Sequence, residues 1–419
     1  MNQEVYSQNP LDILVQDALD KIVEFICFYP KTKEELQKAV DEWCEDREKA
    51  LEKYWHINLW NVSNITNTSE LFKNKTNFND NISMWNMKNV SDVSYMFCQA
   101  YEFNQPIGCW KFDNLINMNH MLAYTYSFNQ PIGEWNTSKV EDMGGLLCGA
   151  ESFNQPICDW KTNNVKNMEK LFEYTKLFNY PINKWNVSNV TNMRKMFSSA
   201  LAFNHPIGGW NVSKVRNMSY MFSDTQSFNQ FIGNWNTGKV ENMSGMFHHA
   251  YAFNQYIGDW NTENVLKMNE MFDNSYEFNQ DISNWETSRV EEMESMFSYS
   301  KKFNQDISTW KVYNVIIMSK MFEHAEVFNQ PIGNWNTSSV TRIDGMFKDI
   351  VMFNQSLEDW NIDNVEDDYE IFDNVNEMFK IPSWYEENDD ETYYTDDDDD
   401  DDNDNNDDYD DYDDYDDDD

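Results

Sequence analysis

A 25-residue repeat constrains the fold of this chain more than any other feature of its sequence. Tryptophan recurs at this interval thirteen times without a shift in phase, at residues 60, 85, 110, 135, 160, 185, 210, 235, 260, 285, 310, 335 and 360. Such a constant period is typical of stacked supersecondary units that share one continuous core. We therefore predict one elongated repeat domain, where 419 residues could otherwise form two or three.

Each repeat carries a constant pattern when its tryptophan is taken as position 1. Apolar residues occupy positions 6, 9, 12, 13 and 16, which in one copy are Val190, Met193, Met196, Phe197 and Ala200. Steps of three, three, one and three residues are helical. A serine at position 4, such as Ser188, is a favoured helix N-cap. The pattern therefore predicts a short helix of about three turns in each coil.

A turn and a strand are predicted after each helix. Phe-Asn occupies positions 19 and 20 of every coil, and many copies continue with Gln-Pro-Ile-Gly, where proline cannot continue a helix. The next stretch, Ile-Gly-x-Trp-Asn-Thr/Val, is predicted to form a parallel strand about 4.8 Å from its neighbours. We expect the Trp, Ile, Val, Met, Phe and Ala positions to form the core. The Asn after Phe is expected to form a ladder between coils, because unbonded buried amides are costly.

The sequence predicts three domains. Residues 1–55 form a helical N-terminal cap, with one helix in 11–28 and a second that starts at the capping box of Thr32–Glu35 and runs to Tyr54. Residues 56–385 form the repeat solenoid and its C-terminal cap. Residues 386–419 are Asp/Asn/Tyr low complexity, which cannot bury apolar area and is predicted to be disordered. The fold class is thus an α/β repeat solenoid of about thirteen coils with an acidic tail.

The charge of the chain argues against several classes of partner. The formal net charge is -43, and the tail from Glu386 onward supplies about half of it. Because the remaining body is also acidic, it has no basic stripe for phosphates, so direct DNA or RNA binding is not expected. Binding to anionic membranes is disfavoured for the same reason. We find no signal peptide and no transmembrane run in the sequence.

Cysteine and histidine spacing offers no metal motif. Cys98 and Cys148 hold the same repeat position two coils apart, about 10 Å from each other, which is too far for a disulfide. The six cysteines are therefore predicted to be free buried thiols in a reducing compartment. The adjacent His248 and His249 could be a metal pair, but adjacent residues of a helix diverge. A solvated surface is the preferred interpretation.

No catalytic constellation is found. Asp281, Asp306 and Glu286 suggest a carboxylate pair, yet Asp281 and Asp306 occupy the proline position of the turn, so a turn role is preferred. Nucleophile elbows, phosphate loops and zinc-protease motifs are absent from the sequence. We predict a protein that is not an enzyme, with no cofactor and no catalytic or metal residues.

The block Trp-Asn-Val-Ser-Asn-Val-Thr-Asn-Met-x-x-Met-Phe-x-x-Ala-x-x-Phe-Asn-Gln-Pro-Ile resembles the BspA-like leucine-rich-repeat family. This variety occurs in mycoplasma surface lipoproteins and in algal and large-DNA-virus proteins. The resemblance covers about residues 56–380 and implies a leucine-rich-repeat-like solenoid with an interaction or surface role and no catalytic residues. Since the chain lacks the signal peptide and lipidated cysteine of the bacterial surface members, we expect a cytoplasmic or virion-associated protein.

Three functions remain open from the sequence. The preferred one is a non-enzymatic scaffold that binds a protein partner through its extended solenoid surface, with the binding residues unknown. The second is a polyanionic tail that binds basic proteins or divalent cations. The third is a carbohydrate-binding surface protein that uses the Asn and Trp rows, although core packing explains the tryptophan period better.

Overall fold

The computed structural model of the chain describes residues 28–385. Chain contacts define two units, Met1–Pro382 and Ser383–Asp419, and all the coils belong to the first. The predicted acidic tail and nearly all of the helix predicted in 11–28 lie outside the described residues. The described part contains two α-helices, a short 3-10 helix and then stacked coils, one for each tryptophan of the repeat.

The second predicted N-terminal helix is in fact two helices. α1 spans Lys33–Glu45, α2 spans Arg47–Tyr54, and the 3-10 helix Ile57–Leu59 follows. Asp46 separates the helices, because its backbone is not helical and its carboxylate accepts the N–H of Lys49 at 3.1 Å as the N-cap of α2. The single helix predicted to run to Tyr54 is therefore wrong at Asp46.

α1 begins as the sequence predicts, with one difference. The Thr32 hydroxyl accepts the N–H of Glu35 at 3.3 Å, which is the first half of a capping box. The Glu35 carboxylate accepts the N–H of Lys31 at 2.7 Å, one residue before the expected partner. The cap still provides a partner for each of these two N–H groups.

The first helix packs against the first coils. The Trp43 indole N–H donates to Asp80 Oδ2 at 2.9 Å, and its ring meets the ring of Trp60 edge-on with centroids 5.9 Å apart. The Gln37 side-chain amide donates to the Leu71 carbonyl at 3.1 Å. Apolar residues and carbonyl groups at the start of the stack are therefore in contact with the helix.

Main-chain hydrogen bonds join each coil to the next. In the coil of Trp185, four N–H groups donate to carbonyls 24 residues further along, at 2.8–3.0 Å; the donors are Met193, Lys195, Phe197 and Ser199. Isolated parallel bridges also link position 8 of successive coils from Asn67 to Asp367. The result is a continuous parallel ladder to which each coil contributes only a very short extended segment.

The short helix predicted in each coil is wrong throughout residues 28–385, where positions 10–15 form consecutive turns. The N–H of Met196 donates to the Met193 carbonyl, and that of Ala200 to the Phe197 carbonyl, each three residues back. Positions 11 and 15 have left-handed backbones, with φ of 54° at both Lys195 and Ser199, which interrupts any right-handed helix. The alternate N–H groups bond between coils, so the i to i−4 pattern of a helix is not formed.

The predicted strand is also displaced. The parallel bridges lie at position 8, whereas the Ile-Gly-x-Trp stretch is a turn in which the Trp185 N–H donates to the Ile182 carbonyl at 3.1 Å. Ser188 at position 4 caps no helix. Its N–H donates to Asn186 Oδ1 at 3.0 Å, so the Asn at position 2 closes a local Asx turn.

The predicted core is confirmed. The thirteen repeat tryptophans are between 1% and 5% exposed, and the Met and Phe rows are buried with them. Trp160 and Trp185 stack with centroids 6.1 Å apart. The Trp185 indole N–H donates to the Ile157 carbonyl at 3.1 Å, so the buried polar atom is paired. Among the described residues, no buried side-chain nitrogen or oxygen lacks a hydrogen-bond partner.

The predicted asparagine ladder is present at position 20. Asn204 Oδ1 accepts the N–H of Asn229 at 3.1 Å and the side-chain amide of Gln230 at 2.9 Å. The same main-chain to side-chain bond recurs in each coil between Asn79 and Asn354. These bonds explain why the Asn recurs without exception.

Candidate interaction surface

The side chains that flank the parallel bridges form the most variable surface of the coils. We call this surface the bridge face and define it as positions 8, 10, 11, 14 and 15 of each coil. Position 11 alone holds Tyr, His, Gly, Lys, Glu or Ser, as in Tyr95, His120, Gly145, Lys170, Glu270 and Ser295. The main chain provides the bonds between coils here, so the side chains are not needed to hold the stack together.

Aromatic residues dominate the bridge face near the start of the stack. The Tyr95 and His120 rings are parallel, with centroids 4.9 Å apart and an interplanar angle of 1°. Gly145 in the next coil leaves room for His120, because a Cβ there would lie 2.3 Å from the imidazole. Burial, followed by the charge of Lys170, lowers the pKa of His120 to about 4. His120 is therefore neutral at physiological pH.

The middle of the bridge face carries a network of polar residues. Tyr220 lies over Gly245, whose missing Cβ would be 2.2 Å from the tyrosine ring. This placement lets the Tyr220 hydroxyl cross a whole coil and donate to Glu270 Oε2 at 2.7 Å. Burial and the bond to Glu270 raise the pKa of Tyr220, so the hydroxyl keeps its proton.

The adjacent histidines lie within this network. The rings of His248 and His249 stack with centroids 3.9 Å apart. His249 Nδ1 lies 3.0 Å from Asp224 Oδ1, and His248 Nε2 lies 3.2 Å from Asp273 Oδ2. Burial lowers the pKa of His248, but the hydrogen bond and charge of Asp273 outweigh it, and the pKa is raised overall.

The sequence argument against this pair rested on a helix that is absent. Because His249 has a left-handed backbone with φ of 52°, its side chain and that of His248 lie on the same face. A register of 25 residues then places Asp224 beside His249 and Asp273 beside His248. The equal spacing of these four residues in the repeat was the sequence signal that could have found the cluster.

The carboxylates singled out in the sequence are not brought together in a reactive pair. Asp281 Oδ1 accepts the N–H of Ser283 at 3.0 Å, and Asp306 Oδ1 accepts that of Ser308 at 2.9 Å. These bonds lower the pKa of both carboxyl groups and agree with the preferred turn role. Glu286 forms an ion pair with a neighbouring lysine, Lys311, at 2.7 Å.

The cysteines in the described residues are free, and only some are buried. Cys98 and Cys148 are buried as predicted and flank Ala123 in one apolar row. Cys44 and Cys109 are exposed and Cys158 is partly exposed, so the prediction of burial is wrong for these three. Their positions in the coil place them on the outer loops and on α1.

A distant likeness links the chain to a solved structure, the crystal structure of a TLR13–ssRNA13 complex. The sequence identity is 9%, the TM-score is 0.19, and the alignment covers 75% of this chain and 52% of that protein. The chain thus spans about half the length of that structure, and we draw nothing from so low a TM-score. No curated protein matches the chain.

The described residues include no helix that is both long enough and apolar enough to span a membrane. The coils match a family described as "Mycoplasma protein of unknown function, DUF285". Four tandem matches cover residues 44–160, 146–254, 229–325 and 306–394, which together include every coil. The chain is a repeat solenoid and belongs to the DUF285 family.

Proposed function

We propose that this protein is a non-enzymatic repeat scaffold that binds a protein partner through the bridge face. The observation that carries the proposal is the way the coils are joined there. Main-chain bonds such as Lys195 N–H to the Ser219 carbonyl, 2.9 Å, hold the coils whatever the side chains are. The face can therefore vary in chemistry along the stack at little cost to stability.

The chemistry of the bridge face does vary along the stack. It is aromatic at Tyr95 and His120, basic at Arg194 and Lys195, and acidic in the later coils. Such a succession of side chains suits a partner that contacts several coils at once, since a stable protein interface needs about 800 Å² on each side. Tyrosine and arginine are the residue types that interfaces favour.

A capture experiment with matched variants tests this proposal. The full chain would be immobilised, and proteins retained from native cell or virion extract would be identified. In the test variant, Tyr95→Ser, Tyr174→Ser and Tyr299→Ser alter the bridge face with a residue that the repeat uses at positions 11 and 15, as in Ser295 and Ser199. We expect this variant to lose the partner that the unaltered chain retains.

The control variant changes the same number of tyrosines at position 17, outside the bridge face. It carries Tyr101→Gln, Tyr126→Gln and Tyr276→Gln, because Gln226 occupies that position in another coil. Thermal unfolding of both variants would verify that they fold. Equal capture by the two variants, or no captured partner for the unaltered chain, would overturn the proposal.

The BspA-like leucine-rich-repeat resemblance is compatible with the DUF285 family and supports the same role. We extend the proposal to a leucine-rich-repeat type of scaffold, in which variable side chains beside a parallel ladder form the binding surface. For its location we propose the cytoplasm or a virion. Separation of virions from host cytosol, followed by immunodetection of the chain, tests the location.

The acidic tail supports a second function. Residues 386–419 contain 23 Asp and Glu and no Lys or Arg, so they could hold basic proteins or divalent cations. Truncation after Trp384 should then abolish partner binding or its salt dependence. Unchanged binding would remove the tail from consideration. A carbohydrate site on the Trp row is disfavoured, because the repeat tryptophans are buried and their ring faces stack on other rings.

A further inference from the structure

We propose that Asp224, His248 and His249 form a binding site for one divalent transition-metal ion, such as Zn²⁺, on the bridge face. One potential ligand atom from each residue lies within 4.8 Å of the other two. All three side chains are partly exposed, so an ion can enter from solvent. The site is independent of the proposed protein partner, because it rests on these three residues alone.

The fold brings the three ligands together from two coils. His248 and His249 are positions 14 and 15 of one coil, and Asp224 is position 15 of the coil before it. The left-handed backbone of His249 turns its imidazole to the side of His248. The parallel register then places the Asp224 carboxylate 3.0 Å from His249 Nδ1.

The distances suit a small ion after a slight expansion. Zinc holds nitrogen and oxygen ligands at about 2.0–2.1 Å, so tetrahedral ligand atoms are about 3.4 Å apart. The pair Asp224 Oδ1 and His249 Nδ1 is at 3.0 Å, the distance of a hydrogen bond. An ion at this point would replace the shared proton and move the two atoms apart by a few tenths of an ångström.

The orientation of His248 is fixed by its other neighbours. Its Nε2 lies 3.2 Å from Asp273 Oδ2, so this nitrogen donates its proton to the carboxylate. Its Nδ1 is then the free base, and it faces Ser223, whose hydroxyl oxygen is 3.4 Å away and in turn donates to Asp224 at 2.7 Å. A carboxylate on the distal nitrogen is the usual support for a metal-bound histidine. Asp273 is therefore a positioning residue.

The ligand set selects the class of ion. Two imidazoles and one carboxylate suit zinc, cobalt, nickel or copper, whereas calcium and magnesium prefer oxygen ligands alone. Three protein ligands leave a fourth tetrahedral position for water or for a side chain of a bound molecule. Within residues 28–385, no second group of three such ligands is found.

The repeat offers a matched control in another coil. His324 holds position 15, as His249 does, and its Nε2 lies 3.5 Å from Asp349 Oδ2. Its ring stacks on Tyr299 at 4.3 Å rather than on a second histidine. His324 thus has the histidine and carboxylate pair of the proposed site without the second imidazole.

Calorimetric titration of the full chain with Zn²⁺ tests the proposal. We expect one tight site per chain, distinct from weak binding by the many tail carboxylates. His248→Ser and His249→Ser use a residue found at positions 14 and 15 of other coils, as in Ser298 and Ser199. Each should weaken the tight site by at least about 100-fold. Asp273→Asn should weaken it by about 10-fold, within the range expected for loss of a positioning partner.

Two controls make the result decisive. His324→Ser should leave the tight site unchanged, and Ca²⁺ should not compete for it. Bound Co²⁺ should give visible absorption typical of nitrogen and oxygen ligands, which is lost in the His248→Ser and His249→Ser variants but kept in His324→Ser. Absence of a tight Zn²⁺ site in the unaltered chain, or equal affinity in all variants, would overturn the proposal. Thermal unfolding without metal verifies that each variant is folded.

Discussion

The bridge face and the asparagine ladder join the same coils in different ways, and their sequences differ accordingly. On the bridge face, main-chain N–H groups donate to main-chain carbonyls of the next coil, and six residue types occur at position 11. On the ladder, side-chain oxygens such as Asn204 Oδ1 accept the bonds, and position 20 is Asn in every coil. Sequence uniformity thus marks the places where side chains carry the bonds between coils.

This difference explains how the chain can keep its fold and vary one surface. The tryptophan row also joins coils through side chains, because each indole N–H reaches a carbonyl 28 residues back. Substitution in these rows removes bonds as well as packing. Substitution on the bridge face leaves the main-chain bonds in place. The two surfaces should therefore respond very differently to mutation.

The largest effect is expected in the tryptophan row. Trp210→Ala should lower the free energy of unfolding by about 3–5 kcal/mol, because it leaves a cavity in a packed core. Trp210 is 4% exposed, whereas Trp55, outside the repeat series, is 54% exposed. Urea unfolding would measure the change, with Trp55→Ala as the control that stays within about 0.5 kcal/mol. Similar stability of both variants would contradict the core assignment.

A smaller effect that depends on pH is expected at His120. The folded imidazole stays neutral down to about pH 4, whereas in the unfolded chain it takes up a proton near its ordinary pKa of 6.5. The unfolded state binds more protons between these values, so stability should rise with pH through this window. The change is about 2–3 kcal/mol, since a tenfold change in proton affinity is worth about 1.4 kcal/mol.

His120→Tyr should flatten this part of the stability curve. Tyrosine fits the position, because Tyr220 lies over Gly245 as His120 lies over Gly145. Unfolding midpoints measured from pH 4 to pH 7.5 for both proteins isolate the contribution of this histidine from that of the carboxylates. Parallel curves for the two proteins would show that His120 is not buried in its neutral form.

The ladder should give a third, smaller effect. Asn204→Ala removes the acceptor for the Asn229 N–H and the Gln230 amide, with an expected cost of about 1 kcal/mol. Asn204→Asp keeps the accepting oxygen and should retain most of the stability. Urea unfolding of the two variants measures the difference. Equal losses would mean that the ladder bonds contribute nothing.

The smallest effect is expected on the bridge face itself. Lys320→Ser places at position 11 a residue found there in the preceding coil, at Ser295. Because the Lys320 N–H still donates to the Asp344 carbonyl, the free energy of unfolding should change by less than about 0.5 kcal/mol. A loss above 1 kcal/mol in thermal or urea unfolding would break the distinction between the two surfaces.

The sequence was sufficient for the features that depend on side-chain repetition. The period predicts the solenoid, and the invariant Trp and Asn predict the core and the ladder, because the same side chains must meet every 25 residues. The local backbone could not be predicted in the same way. Apolar steps such as Met193 to Met196 to Ala200 fit both a helix and consecutive turns of nearly the same spacing.

The choice between these two backbones depends on contacts far along the chain. In isolation, the N–H of Lys195 would bond within its own coil, but the next coil offers the Ser219 carbonyl at 2.9 Å. The left-handed backbone at Lys195 carries little sequence signal, because lysine seldom adopts it. The histidine cluster was missed for this reason, since the wrong backbone separated His248 from His249.

The bridge also gives the molecule a direction along the stack. Every bond at positions 9 to 15 runs from an N–H in one coil to a carbonyl in the next, so the first coil turns its carbonyls toward α1 and the last turns its N–H groups the opposite way. Copies could polymerise only head to tail, as filaments do. α1 packs at the first end, and carboxylates crowd the last coil, at Asp367, Asp368, Glu370 and Asp373. Charge at an open edge opposes pairing with another chain, so each molecule ends where its own sequence ends the stack.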